Sequence, residues 1–151
     1  MSAKTFYLAY GSNLNVEQMN WRCPNAEICG TSVIEDYELV FRRGVLTIEP
    51  KVGSSVPVGV WAIDIYDEAA LDIYEGYPRF YRKEYMMVEL DGETISALVY
   101  IMNDGRAISP PSTTYFKTCL RGYRDFGFPT KNLCAKANEA LDIATNQKKG
   151  G

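Results

Sequence analysis

Apolar positions along this chain fall in short runs separated by Gly, Pro, Asn and Asp. Thr5 to Tyr10 is apolar and aromatic and stops at Gly11, the pattern of a buried strand. Gly11-Ser12-Asn13 supplies a turn, and a short helix is expected to start near Asn15. Asn15 can cap that helix, with Gln18 three residues on as a capping-box partner and Pro24 as its stop. From Ile28 to Arg43 the residues are β-branched and aromatic, with a break at Glu35-Asp36 that predicts two short strands. Two more are expected at Val45 to Glu49 and Val56 to Tyr66, on either side of the turn-rich Pro50 to Ser55.

Asp67 to Gly76 carries helical spacing, with Asp67 as the N-cap, Gly76 just past the end and Pro78 blocking continuation. Tyr85 to Leu90 and Thr94 to Met102 are predicted strands joined at Asp91-Gly92, a strong hairpin signal. Asn103 to Ser112 reads as a polar loop. Helices are predicted over Thr113 to Phe126 and Asn132 to Ala144, the second with Leu133, Ala137, Ala140, Leu141 and Ala144 on one stripe. Residues 145–151 are expected to form a frayed tail. With no internal repeat and no interior linker, the pattern describes one α+β domain over residues 1–151. Six or seven short strands with few helices predict a small, barrel-like mixed sheet flanked by helices.

Composition narrows the chemistry. The 151 residues carry 16 Lys+Arg and 19 Asp+Glu, a net charge of −3, which argues against a protein built to grip nucleic-acid phosphates. Histidine is absent, so Ser-His, Cys-His and His-metal mechanisms are excluded, leaving carboxylates, Tyr, Lys and Cys for acid–base work. Cys23, Cys29, Cys119 and Cys134 form no Cys-x-x-Cys pair, which points to reduced thiols and a cytoplasmic location rather than a disulfide framework or a zinc site. No apolar run approaches a membrane span, and the apolar stretch from Phe6 to Ala9 is too short for a signal peptide core. The expectation is a protein with no membrane or nucleic-acid partner; oligomeric state is not legible.

Two places could carry chemistry. Tyr10-Gly11-Ser12-Asn13-Leu14 is a strand-to-helix turn whose backbone N–H groups can converge on a carboxylate or a developing oxyanion, although the same residues also make an ordinary turn and helix cap. Glu75 falls on the core-facing stripe of its helix, above Leu71 and beside Tyr74, in the last turn. Burial and the negative end of the helix dipole both disfavour its ionised form, so a raised pKa is expected, as a general base near neutrality needs; the plainer alternative is a surface glutamate at a frayed end. Tyr74, Tyr77, Phe80, Tyr81 and Tyr85 cluster around it, individually explicable as core and collectively suited to a pocket for a small polar ligand. Tyr115 adds a hydroxyl near a helix start, while Arg79, Arg82 and Lys83 read as a solvated face; Arg42 and Arg43 also read as surface, although an arginine near an anionic substrate would be physically sensible.

Tyr10-Gly11-Ser12-Asn13-Leu14, Gly44 to Pro50, Val58-Gly59-Val60-Trp61, Leu71 to Gly76, Tyr81, Ala97 to Met102 and Pro111 to Tyr115, in that order, resemble the gamma-glutamylcyclotransferase-like family. The resemblance runs from about Thr5 to Gly122. It implies a small mixed barrel flanked by helices, and release of 5-oxoproline and a free amine from a γ-glutamyl amide with no metal or cofactor. By the same resemblance Glu75 matches the catalytic glutamate, and Tyr10, Gly11, Ser12, Asn13 and Leu14 match the substrate-binding loop. Tyr81 and Tyr115 resemble pocket tyrosines. The related glutathione-degrading branch usually has leucine where Asn13 stands, so this chain is less similar to that branch.

Such a reaction suits these residue types. A γ-glutamyl amide carries its own nucleophile, the α-amine, so no protein nucleophile is needed and Glu75 would serve as general acid and base. Two rival readings stand beside it: a non-catalytic ligand-binding or interaction protein that keeps the same pocket, and a barrel binding single-stranded nucleic acid on an aromatic face. A carboxylate on the buried stripe disfavours the first, and the missing basic stripe disfavours the second.

Overall fold

The computed structural model describes residues 3–149. It is α+β: five strands, β1 (Thr5–Ala9), β2 (Glu27–Arg42), β3 (Val45–Ile63), β4 (Tyr81–Leu90) and β5 (Glu93–Met102), with helices α1 (Val16–Arg22), α2 (Ile65–Tyr74), α3 (Thr113–Asp125) and α4 (Lys131–Lys149). They form one mixed sheet in the order β2-β3-β1-β5-β4. The short central strand β1 pairs antiparallel with β3 and parallel with β5. A hairpin lies on each side of it. Asp91-Gly92 turns β4 into β5 with both residues at positive φ, as expected from that dipeptide; Arg43-Gly44 turns β2 into β3 in the same left-handed conformation.

Five strands replace the predicted six or seven because two breaks in the sequence are bulges in continuous strands. Glu35 pairs with Ser55 and Tyr37 with Pro50, so Asp36 stands opposite the whole excursion from Lys51 to Ser54. Asp36 closes the irregularity by accepting the Gly53 N–H at 3.0 Å. Such a bulge sharpens strand bending and twist. The sheet curls until its edges approach, where Ser32 Oγ donates to the Glu89 carbonyl at 2.5 Å, but no backbone ladder joins β2 to β4 among the described residues.

Helix boundaries follow their caps. Asn15 caps α1 by accepting the Gln18 N–H; the Gln18 side chain does not return the bond but accepts from Arg22 Nη2 instead. The cap of α2 is Asp64 rather than Asp67, the two aspartates exchanging backbone bonds in a complete capping box, so the helix starts and ends slightly earlier than the sequence reading placed it. On α4, Leu133 and Ala140 are buried against β2 whereas Leu141 turns outward at 51% exposure. Residues 146–149 continue that helix instead of fraying, and the last two positions of the expected tail lie outside the described residues. No helix among the described residues is long and apolar enough to cross a membrane.

One contact governs how the segment after β1 is held. A 3-10 turn (Ser12–Leu14) follows Tyr10-Gly11, and its Leu14 is fully buried between β3 and α3. Both neighbours are glycines at the contact. A Cβ on Gly59 of β3 would lie 2.8 Å from Leu14 Cδ2, and one on Gly122 of α3 would lie 2.6 Å from the Asn15 nitrogen. In an ordinary helix interior Gly→Ala gains up to about 1 kcal/mol. Here the opposing atoms are backbone, so we expect Gly122→Ala to destabilise by about 1–3 kcal/mol, lowering Tm by several degrees. Thermal unfolding of the purified variant checks this, and a Tm at or above the parent's would mean that the packing is looser than described.

Candidate active site

The residues that follow β1 and those that end α2 meet across a cavity of about 90 Å³, several times the ~10–15 Å³ that holds one water. Its wall includes Tyr7 and Tyr10 from the β1 segment, the turn residues Gly11 to Asn13, Tyr74 and Glu75 from the end of α2, Tyr81 from β4, Tyr100 from β5 and Tyr115 from α3. Glu75 caps the C-terminus of α2 and donates its N–H to the Leu71 carbonyl at 2.8 Å; Gly76 follows at positive φ, and this reversal delivers the side chain to the cavity. The residue as a whole is partly exposed, yet its carboxyl group is enclosed by protein. Desolvation pushes its pKa up to about 8, against a smaller opposing pull from the Arg22 guanidinium.

The turn faces that carboxyl. Within the turn, Leu14 N–H bonds the Gly11 carbonyl and Asn15 N–H bonds the Ser12 carbonyl, both at 3.0 Å. The amides of Ser12 and Asn13 come at its start, where a helical turn has no carbonyl of its own to offer them. Asn13 Nδ2 donates to the Tyr7 hydroxyl at 2.9 Å and approaches Glu75 Oε1 at 3.5 Å, while Ser12 Oγ and the Tyr74 hydroxyl share a hydrogen bond at 2.8 Å. A Cβ at Gly11 would lie 3.3 Å from Leu46 Cδ1 and 3.5 Å from the Tyr115 hydroxyl, so the backbone approaches the wall closely there.

Tyrosines brace the frame. The Tyr81 hydroxyl donates to the Leu46 carbonyl at 2.6 Å, and the Tyr115 hydroxyl accepts the Leu46 N–H at 3.1 Å, so the two clasp one residue of β3 between them. The Tyr10 hydroxyl donates to the Tyr100 carbonyl at 2.7 Å, and Tyr123 donates to the Tyr10 carbonyl at 3.0 Å. Burial holds the hydroxyls of Tyr7, Tyr10, Tyr81 and Tyr115 well above the usual tyrosine pKa, so they are neutral donors and acceptors in the working range.

Tyr10, Gly11, Ser12, Asn13, Glu75, Tyr81 and Tyr115 are therefore gathered around one cavity, whereas Leu14 lies outside its lining and anchors the turn from behind. Of the aromatic cluster after α2, Phe80 joins the wall, while Tyr77 is partly exposed under the Lys83 ammonium and Tyr85 is exposed on the outer face of β4. Among the polar side chains at the site, sequence reasoning missed Tyr7, Tyr100 and Arg22. Strand alternation puts Tyr7 two residues before Ala9 on a buried run and gives it no mark of its own, and Tyr100 reads as core. Arg22 looks like a helix-end cation, yet its guanidinium bonds Asn13 Oδ1 and lies 3.5 Å over the Tyr74 ring.

Known proteins are similar to this chain in sequence and in fold. The chain is 29% identical over 139 residues to the gamma-glutamylcyclotransferase of Mus musculus, covering 82% of this chain and 72% of the relative. It is 28% identical over 139 residues to that of Homo sapiens, with the same coverage. A solved structure named gamma-glutamyl cyclotransferase superposes with a TM-score of 0.75 at 27% identity, covering 85% of this chain and 83% of the other. The model of the family described as "Gamma-glutamyl cyclotransferase, AIG2-like" matches residues 7–117, more than half of the chain and spanning both the turn and Glu75, and the chain belongs to that family.

Proposed function

We propose that this cyclotransferase releases 5-oxoproline and a free amine from a γ-glutamyl amide, with Glu75 as general base and then general acid. The observation that carries the reading is a desolvated carboxyl with a pKa near 8, lining the same cavity as the Gly11–Asn13 turn, whose Asn13 side chain approaches it at 3.5 Å. The substrate's α-amine has a reference pKa of about 7.7–8.0, so a carboxyl near 8 can take its proton at little thermodynamic disadvantage. A glutamate at its ordinary value of 4.5 could not.

The step balances without a protein nucleophile or water. Glu75 removes a proton from the substrate ammonium, and the freed amine nitrogen forms a bond to the γ-carbonyl carbon. As the tetrahedral oxyanion collapses, the bond to the leaving nitrogen breaks and Glu75 gives its proton to that nitrogen; the ring nitrogen then gives up its own extra proton, which Glu75 passes to the freed amine, so that 5-oxoproline leaves with one ring N–H and the amine leaves as an ammonium. Glu75 finishes ionised, as it began. Holding the five-membered ring geometry in place can contribute up to ~7–11 kcal/mol of the barrier. The backbone N–H groups of Gly11 to Asn13 would receive the α-carboxylate, the oxyanion or both, with Tyr10, Ser12, Tyr81 and Tyr115 shaping the walls.

Glu75→Gln keeps the shape and removes the proton acceptor, so 5-oxoproline release from a panel of γ-glutamyl amides should fall by roughly 10²–10⁴-fold. Turnover at the parent rate would eliminate the proposed base, and no 5-oxoproline from any amide in the presence of binding would leave a non-catalytic pocket. For the parent enzyme, kcat/KM should climb with pH as Glu75 ionises towards about 8, then fall as the free substrate loses its ammonium proton.

The same carboxyl predicts a stability signature. Its folded pKa lies above its unfolded one, so the folded state holds the extra proton between about pH 4.5 and 8. The stabilisation from that proton is complete below pH 4.5 and is lost as pH rises through 8. Glu75→Gln should therefore be more stable than the parent at pH 8 by roughly 2–4 kcal/mol, with the gap closing below about pH 4.5. Denaturant midpoints for both proteins across that range decide it; a gap independent of pH would mean that the carboxyl is ordinarily solvated.

A further inference from the structure

Asn13 links the turn to Tyr7 and Glu75, and it does so through a group with two unlike ends. A carboxamide has a donor end and an acceptor end, and turning it over exchanges them. Tyr7 cannot decide the orientation, since a hydroxyl serves either end. Glu75 cannot decide it alone, since a protonated carboxyl accepts the opposite arrangement. A guanidinium donates only. With Arg22 Nη1 bonded to Asn13 Oδ1, the Nδ2 end is left to face the Tyr7 hydroxyl at 2.9 Å and Glu75 Oε1 at 3.5 Å.

Arg22 is itself held from three sides. Its Nη2 donates to Gln18 Oε1 at 3.1 Å, one turn back on α1, and its plane covers the Tyr74 ring at 3.5 Å. Tyr74 is tied in turn to Ser12 through its hydroxyl. The last residue of α1 thus reaches the point where the turn and the end of α2 meet, with its planar fork and its stacking face both used.

We propose that Arg22 is a positioning residue for Glu75: by bonding the Asn13 carbonyl oxygen it turns the amide N–H towards the Glu75 carboxylate and favours the ionised, proton-accepting form. This rests on the assignment of Glu75 as the base. The other groups facing the carboxyl are the hydroxyls of Tyr7 and Tyr10 on the β1 side, Tyr81 on β4 and Tyr115 on α3, together with Tyr74 beside it on α2. Burial keeps the first four neutral. Arg22 is the charged group that acts on it among the described residues, and its pull opposes desolvation.

The test reads Glu75 directly. Protein with ¹³C-carboxyl-labelled glutamate is titrated by NMR, the Glu75 signal being identified by its absence in Glu75→Gln, and kcat/KM is measured against pH in parallel. In Arg22→Met the carboxyl midpoint and the rising limb of kcat/KM should both move up by about one pH unit, giving about a tenfold loss of rate at pH 7 that recovers at higher pH. Arg22→Lys, a donor-only cation without the planar fork, should fall between parent and Arg22→Met. If both variants titrate at the parental midpoint, or if the rate drops equally at every pH, Arg22 is only a packing residue and the proposal is overturned. The base assignment fails by a different result, full activity in Glu75→Gln, which leaves the titration of the Arg22 variants free to report on its own question.

Discussion

Desolvation of a single carboxyl is the constraint around which this molecule is arranged. An ionised glutamate stripped of water is held only if donors or charges replace some of the lost hydration, and otherwise the group keeps its proton. Glu75 is in the intermediate regime. The cavity removes most of its solvent, Asn13 offers one weak N–H contact, and Arg22 supplies a positive charge without closing on it as a salt bridge. A direct Arg–Glu pair would pull the pKa down and make a poor base; an apolar pocket without Arg22 would push it further up and leave still less of the ionised form at neutral pH. The distance between these outcomes is a few pKa units, which is why the packing behind the site has to be firm.

That firmness comes from glycine used as an absence. Gly59 and Gly122 leave room on opposite sides for Leu14, so a buried leucine fixes the turn while Gly11, Ser12 and Asn13 line the cavity. Tyr81 and Tyr115 fix the opposite wall through both main-chain groups of Leu46. The two devices are complementary: apolar burial sets where the turn lies, and hydrogen bonds from neutral tyrosines set the wall it faces. Asp72 extends the frame to α2, accepting from the Tyr100 hydroxyl at 2.6 Å and from Lys83, whose ammonium also bonds Glu68. The helix that ends in Glu75 is therefore tied to the sheet along its length.

How much of this was readable beforehand depends on the range of the interaction involved. The β1 run, the Asn15 cap, the Asp91-Gly92 hairpin and the placement of Glu75 near a helix end are encoded within a few residues of each other, and each is seen in the structure. Where the decisive partner is distant, the local signal misleads. Pro50 to Ser55 carries every mark of a strand break, but Asp36, far back in the chain, absorbs the excursion as a bulge and the strand continues. Asp64 takes the cap from Asp67 because the chain leaves β3 at Ile63, a point that depends on the register with β1. Leu141 shares helical spacing with Leu133, yet the approach of α4 to β2 leaves it on the outer side. Arg22 is the extreme case: nothing in its neighbours distinguishes it from any cation ending a helix, and its significance appears only when Asn13 and Tyr74 are brought to it.

The absence of histidine also acquires a physical meaning once the site is assembled. The hydroxyls of the cavity-lining Tyr7, Tyr10, Tyr81 and Tyr115 are held neutral by burial, and the buried thiols of Cys23 and Cys119 are pushed up to about 12. That leaves Glu75 as the one of these groups whose charge changes near neutrality. A second group titrating there would couple to it and split its proton affinity into two macroscopic steps, so that at most pH values part of the population would carry the wrong combination of charges. Surrounding one carboxyl with groups that stay neutral or stay charged avoids this. In the proposed reaction, that constancy would let the site exchange a proton with a substrate amine of similar affinity.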